Sequence, residues 1–164
     1  MPARNEHLVV IMAEATRVGR EFVEWPLHIT IVPWFPTADE AKLDAVMEIL
    51  AARHQAFEVK VGKIDYFGKK DKLAVNHIED NNRLRDLHWE VFHSLEKNGF
   101  LIHQKDHLGE KYKPHITHQA GRYKWPGEVV NISALSLVKQ IRQKKTGVMI
   151  KAVVKEYPLA TRGV

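Results

Sequence analysis

Two hydrophobic rhythms alternate along the chain. HLVVIMA (His7 to Ala13) is a β-branched apolar run of strand length, and LHITIVPW (Leu27 to Trp34) is a second; Pro33, which cannot donate to a ladder, marks its end or an edge. After Pro36 the period lengthens to that of a helix. Ala41, Leu43, Val46, Met47, Leu50 and Ala51 recur at helical spacing up to about His54, and Thr37 with Glu40 three residues later reads as a capping box. AFEVKVGKI (Ala56 to Ile64) alternates again, with Phe57, Val59 and Val61 on one face, and KLAVNHI (Lys72 to Ile78) follows a Gly-Lys-Lys-Asp turn. Leu84, Leu87, Val91 and Leu95 predict a second helix, capped by Asp80 or Asn81 and stopped at Asn98-Gly99. Further strands are predicted over His115 to Gln119, Val129 to Val138 and Gly147 to Val154.

This order does not alternate strand with helix as a parallel sheet requires. It predicts an α+β fold of antiparallel sheets with helices packed on their outer faces. Each helix stands near one of two similar strands, which suggests two lobes. With 164 residues and no linker or low-complexity tract, one domain over 1–164 is expected, with disorder confined to the first five residues and the tail after Leu159. The apolar run Leu8 to Ala13 is too short to span a bilayer and is followed by Glu14, Arg17 and Arg20, so a soluble, cytoplasmic protein with no membrane partner is expected, most simply a monomer. The absence of cysteine excludes disulfides, thiolate metal sites and a cysteine nucleophile. Net charge is +5, but residues 1–82 hold 10 Lys and Arg against 13 Asp and Glu (−3), and residues 83–164 hold 15 against 7 (+8). A basic half suits an anionic partner, phosphates first, although a solvated basic surface has the same composition.

LHIT (Leu27 to Thr30) is nearly repeated as PHIT (Pro114 to Thr117). In a strand alternate side chains share a face, so His28 and Thr30 point one way while Leu27, Ile29 and Ile31 point to a core; His115, Thr117 and Gln119 likewise oppose Ile116 and His118. Two such strands side by side would converge two imidazoles and two hydroxyls. That set suits phosphodiester chemistry without a metal: one neutral imidazole takes a proton from the attacking hydroxyl, one imidazolium protonates the departing oxygen, and the hydroxyls hold non-bridging phosphate oxygens.

The paired motifs, 84 residues apart and preceded by Trp25-Pro26-Leu27 and Lys113-Pro114, resemble the 2H phosphoesterase superfamily, most closely its 2'-5' RNA ligase and RNA 2',3'-cyclic phosphodiesterase group. Leu84-x-x-Leu87-His88 before Asn98-Gly99-Phe100 adds to the resemblance, which spans nearly the whole chain. It implies a bilobal α+β fold with a pseudo-twofold axis and a central cleft, and action on RNA ends or small nucleotides carrying cyclic or 2'-5' phosphodiesters. By match, His28 and His115 would be the acid/base pair, with Thr30 and Thr117 as phosphate ligands and no cofactor. The chain departs from the family pattern at His118, where an apolar residue is usual, and at Ala120, where some members carry a base that here has only Arg122 as a near substitute.

Lys111, Lys113, Arg122 and Lys124 flank the second motif as candidate contacts to substrate phosphates, Lys139 and Arg142 are weaker ones, and His7 is a candidate cleft residue because it opens the first strand. His103 and His107 have helical metal-ligand spacing but stand in a polar stretch after Gly99 without a third ligand, so no metal site is expected. Trp25, Trp34, Tyr66, Phe67, Tyr112, Tyr123 and Trp125 cluster around the motifs, where a ring either fills a core or stacks on a base. The function expected is metal-independent hydrolysis of 2',3'-cyclic phosphodiesters of RNA or nucleotides, with reversible 2'-5' RNA ligation as an accompanying activity. The alternative is a non-catalytic module that holds RNA ends in the same cleft.

Overall fold

The computed structural model describes residues 5–106, 108–142 and 145–161. Among them, in chain order, are β1 (Asn5–Met12), β2 (Glu21–Phe22), β3 (His28–Thr37), α1 (Glu40–Arg53), β4 (Phe57–Phe67), β5 (Leu73–Ile78), α2 (Asn82–Lys97), β6 (His115–Thr117), β7 (Val129–Ile132), β8 (Ala134–Arg142) and β9 (Met149–Pro158). The strands pair antiparallel in the order β2-β9-β8-β1-β3-β6-β5-β4-β7. The two motif strands, β3 and β6, meet at the middle of this sheet, so the two lobes expected from sequence are its two halves, joined through that pair.

Alternation decides which face is dry. Ile29, Ile31 and Ile116 turn to one side, where they join Leu43, Met47, Leu50 and Ala51 of α1 and Leu84, Leu87, Val91 and Leu95 of α2 in a fully buried core. Each of the leucine, isoleucine, valine and methionine side chains contributes roughly 1.5–3 kcal/mol relative to exposure. The first half of the sheet carries a second apolar cluster, Leu8, Val10, Phe22, Val138 and Val153, with Met12, Trp25 and Trp34 packed against it.

Several elements differ from the sequence expectation. Pro33 neither ends β3 nor lies on an outer strand: β3 runs on to Thr37, and Pro33 falls where the register to β1 slips between Val32 and Phe35, a bulge that asks no N–H of it. The cap of α1 is Asp39, whose carboxylate accepts from the Lys42 N–H at 2.9 Å, while Thr37 still belongs to β3. Asn81 caps α2 by accepting from Leu84 N–H, and Gly99, at φ +90°, lets Phe100 N–H bond back to the Leu95 carbonyl. The run Val129 to Val138 is two strands, β7 on β4 and β8 on β1, parted at Ser133, whose carbonyl accepts from Leu159 N–H. The short β2, paired with β9, has no counterpart in the expectation.

Candidate active site

Ile29 and Ile116 are direct partners across the β3–β6 pair. One residue further in each direction, this antiparallel register sets His28 opposite Thr117 and Thr30 opposite His115. The isoleucines are fully buried on the helix side, so the two histidines and two threonines lie on the other face, each partly exposed, the histidines on one diagonal and the threonines on the other.

Both imidazoles are anchored alike. Nδ1 of His28 lies 2.8 Å from the Pro26 carbonyl, and Nδ1 of His115 lies 2.8 Å from the Lys113 carbonyl. A carbonyl oxygen only accepts, so each Nδ1 carries the proton and each Nε2 is left as the titrating atom. Burial lowers the His28 pKa from its ordinary value; the Pro26 carbonyl opposes this and nearby His115 adds to it. Burial therefore favours neutral His28 in the free protein.

Each imidazole also meets an aromatic ring. Trp25 lies against His28 with centroids 4.4 Å apart, and the Phe67 ring stands edge-on to His115 at 5.2 Å. Phe67 meets His77 as well, at 5.4 Å, and His77, the direct β5 partner of His115, holds the Asp65 carboxylate at 2.8 Å. Behind Thr30, the Tyr112 hydroxyl donates to the Thr30 carbonyl at 2.7 Å, and its ring stacks on buried His88 at 3.8 Å. Burial raises the Tyr112 pKa, so the phenol remains a donor. His88 in turn donates from Nδ1 to the Ile31 carbonyl and accepts from Gly109 N–H at Nε2, a neutral tautomer consistent with its burial-lowered pKa.

A cavity of about 400 Å³ opens beside His115 and Thr30, walled by Pro33, Leu108 and Tyr112 and rimmed by Gln104, Asp106 and Lys113. Lys113 and Tyr112 also line a neighbouring cavity of about 200 Å³ that contains His77 and Arg85.

The other candidates scatter. Lys113 stands at the site, but Lys111 and Lys124 line neither cavity. Arg122 does not offer a free guanidinium: Nη1 pairs with Glu14 and Nη2 donates to the Trp25 carbonyl at 2.8 Å. His7 is not a cleft residue. It is 1% exposed beside Phe35 and Glu40, because its place in β1 turns it toward α1, and burial lowers its pKa to about 4. Lys139 is paired with the same Glu40 at 2.6 Å. His118, next after the motif, is partly exposed: it bonds the buried Asn76 amide oxygen at 2.9 Å and its ring stacks on Tyr123 at 5.2 Å, which gives a polar residue partners where an apolar one is usual. His107 lies outside the described residues, as does the Arg142 side chain; His103 is exposed, and among the described residues no group of three His, Cys, Asp or Glu could hold a metal ion. From the sequence alone Asp65 has no assigned role, and His77 and His88 are expected only as surface or partly buried residues, His88 also as part of the family pattern. Alternation in KLAVNHI places Val75 and His77 on one face, but nothing local tells that β5 lies beside β6.

A family model described as the 2'-5' RNA ligase superfamily matches residues 12–147. The RNA 2',3'-cyclic phosphodiesterase of Bacillus subtilis (strain 168) is 33% identical over 116 residues, which is 65% of this chain and 58% of that protein; the match thus spans little more than half of the relative. In fold the chain is similar to TT0787 of Thermus thermophilus (TM-score 0.64, 14% identity, 96% of this chain and 100% of that one). It is also similar to E. coli LigT solved with 3'-AMP (TM-score 0.64, 14% identity, 96% and 99%). At such identities the two structures speak for the fold alone. The matched segment contains both His-x-Thr strands and the β3–β6 pair that joins them, and on this ground the chain belongs to the 2'-5' RNA ligase superfamily of 2H phosphoesterases.

Proposed function

We propose that the protein hydrolyses 2',3'-cyclic phosphodiesters at RNA ends or on small nucleotides, without a metal, through His28, Thr30, His115 and Thr117. The observation that carries this reading is the pairing of Ile29 with Ile116, which gathers two imidazoles, each anchored through Nδ1, and two hydroxyls on one partly exposed face. Binding alone does not demand two titratable groups. The phosphate sits among the four side chains, with the threonine hydroxyls on its non-bridging oxygens. Nε2 of the neutral histidine takes a proton from water as the water oxygen bonds to phosphorus; the bond to one ribose oxygen breaks, and the other histidine gives that oxygen its Nε2 proton. The product is a phosphomonoester beside a free hydroxyl, and the histidines have exchanged charge states. With a ribose 5' hydroxyl in place of water, the same displacement is 2'-5' ligation. The 400 Å³ cavity next to His115 is of a size to take the nucleoside. The B. subtilis relative, an RNA 2',3'-cyclic phosphodiesterase, supports the choice of substrate.

The test is the pH dependence of kcat on a 2',3'-cyclic nucleotide in excess chelator. A bell with two histidine-like limbs is expected where chemistry limits turnover, and the limbs describe the pair rather than either residue. A profile that climbs steadily into alkali would return His28 and His115 to binding residues, and loss of activity with chelator would point to metal-bound water.

A further inference from the structure

The loop after the second motif reaches across to the first. Gln119 and Arg122 bond to each other through their backbones at 3.0 and 2.7 Å, a tight turn that directs Arg122 at the segment before β3. There its guanidinium is forked: Nη1 pairs with Glu14, and Nη2 donates to the carbonyl of Trp25. Trp25 is the residue whose ring covers His28, and the next carbonyl along, that of Pro26, is the one that fixes the His28 tautomer. The second motif's loop is therefore tied, through one side chain, to the backbone that carries the ring over the first motif's histidine and runs on into the carbonyl at its Nδ1. The Trp25 ring is otherwise supported at its edge by Phe22, centroids 5.0 Å apart, with the Lys151 ammonium 6.0 Å from its centroid.

We propose that Arg122 is a positioning residue, which locks Trp25 over the His28 imidazole and so makes the first half-site depend on the second. The inference rests on the hydrolytic reading only for its kinetic arm. Its physical content is local: with the fork intact, Trp25 and the Pro26 carbonyl keep His28 half-buried, in one tautomer, with Nε2 aimed at the phosphate. With the fork gone, the Trp25 backbone is free to move and water reaches the imidazole. Around His28, His115 lies diagonally across on β6, Glu14 and Arg122 neutralise one another, Lys151 stands 6.0 Å from the centre of the Trp25 ring, and the two threonines carry no charge.

The test compares Arg122→Gln, Arg122→Lys and Trp25→Phe with the unaltered protein, first by NMR titration of the His28 imidazole, which needs no substrate. Burial is the largest cause holding the His28 pKa down, so Arg122→Gln is expected to move its midpoint upward. Arg122→Lys, which keeps the cation but loses the planar fork, is expected to move it in the same direction, whereas a pure charge effect would leave it in place. Trp25→Phe keeps a ring and is expected to stay near the parent. On a 2',3'-cyclic mononucleotide, Arg122→Gln is expected to lower kcat by roughly tenfold with KM little changed, and to cost less in a Trp25→Ala background than alone, as residues acting through a shared contact do. A His28 midpoint unchanged in both Arg122 variants would overturn the proposal. So would a loss confined to KM, which would make Arg122 a substrate ligand instead. If the parent protein has no cyclic phosphodiesterase activity, the proposed function fails while the titration still decides the inference.

Discussion

His28 and His115 share an anchor but not a setting: one is shielded by Trp25, the other meets Phe67 edge-on beside the Asp65–His77 pair. Removing either imidazole removes one proton-transfer partner. His28→Ala and His115→Ala are each expected to lower kcat on a cyclic nucleotide by about 10² to 10⁴, and Thr30→Ala or Thr117→Ala by roughly tenfold to a thousandfold. Parallel assays at one pH, with circular dichroism to confirm the fold, check this; a His28→Ala variant of full activity would remove the acid/base assignment. His7 gives a prediction about stability instead. Its pKa, about 4 in the folded protein against an ordinary 6.5, is lowered first by burial, then opposed by Glu40 and assisted by Lys139, and its Nδ1 has no hydrogen-bond partner among the described residues. Above pH 6.5 it is neutral folded and unfolded; as the pH falls from there toward 4 the unfolded chain takes a proton that the folded one refuses. Stability present at neutral pH is therefore lost across that window, by on the order of 3 kcal/mol from this residue. Urea unfolding at pH 7 and pH 4.5 is expected to show a smaller loss in His7→Phe than in the parent, and parallel losses would show that His7 is not the group responsible.

Among the elements, β6 depends most on its neighbours. Three residues long, it is held by one direct partner in β3 and three in β5, and β3 is itself braced from behind by Tyr112 and His88. Tyr112→Phe keeps the ring stacked on His88 but leaves the Thr30 carbonyl without its donor. The expected cost is about 1–2 kcal/mol in urea unfolding, with kcat falling several-fold because the strand that carries His28 and Thr30 loses its brace. An unchanged kcat with reduced stability would show that the brace serves the fold alone. Both helices were legible in their periodicity, and the end of α2 in Asn98-Gly99. The start of α1 was misplaced by two residues because Thr37-x-x-Glu40 and Asp39 both offer a capping oxygen, and β3 keeps Thr37 in the sheet. Pro33 misled for a similar reason: proline excludes a regular ladder position, and a bulge inside a long strand satisfies that as well as a terminus does.

At the scale of the molecule, charge asymmetry is the property with a measurable consequence. The second half of the sequence is +8 by the count above, and Lys113 stands where both cavities meet. A long RNA whose condensed counterions are released as these cations neutralise its phosphates is expected to lose kcat/KM steeply as salt rises, while a cyclic mononucleotide loses little. Equal salt slopes for the two substrates would show that the basic half is solvated surface. Of the cations first considered, Arg122 and Lys139 are tied to Glu14 and Glu40, so the electrostatic footprint is smaller than composition suggests.

What the sequence determined by itself is whatever depends on neighbours along the chain. The alternation in LHIT and PHIT assigns His and Thr to one face and Ile to the other, and helical spacing locates α1 and α2. Those facts follow from strand and helix periods, which act over a few residues. Only the tertiary structure decided that β3 and β6 are partners in the register Ile29 to Ile116, that β5 brings His77 beside His115, that His7 turns to α1, and that Arg122 reaches Glu14 and the Trp25 carbonyl. These contacts join residues far apart in the chain, and they are selected by how the two helices and the sheet bury their apolar faces together. That selection depends on all elements at once, so no local pattern encodes it.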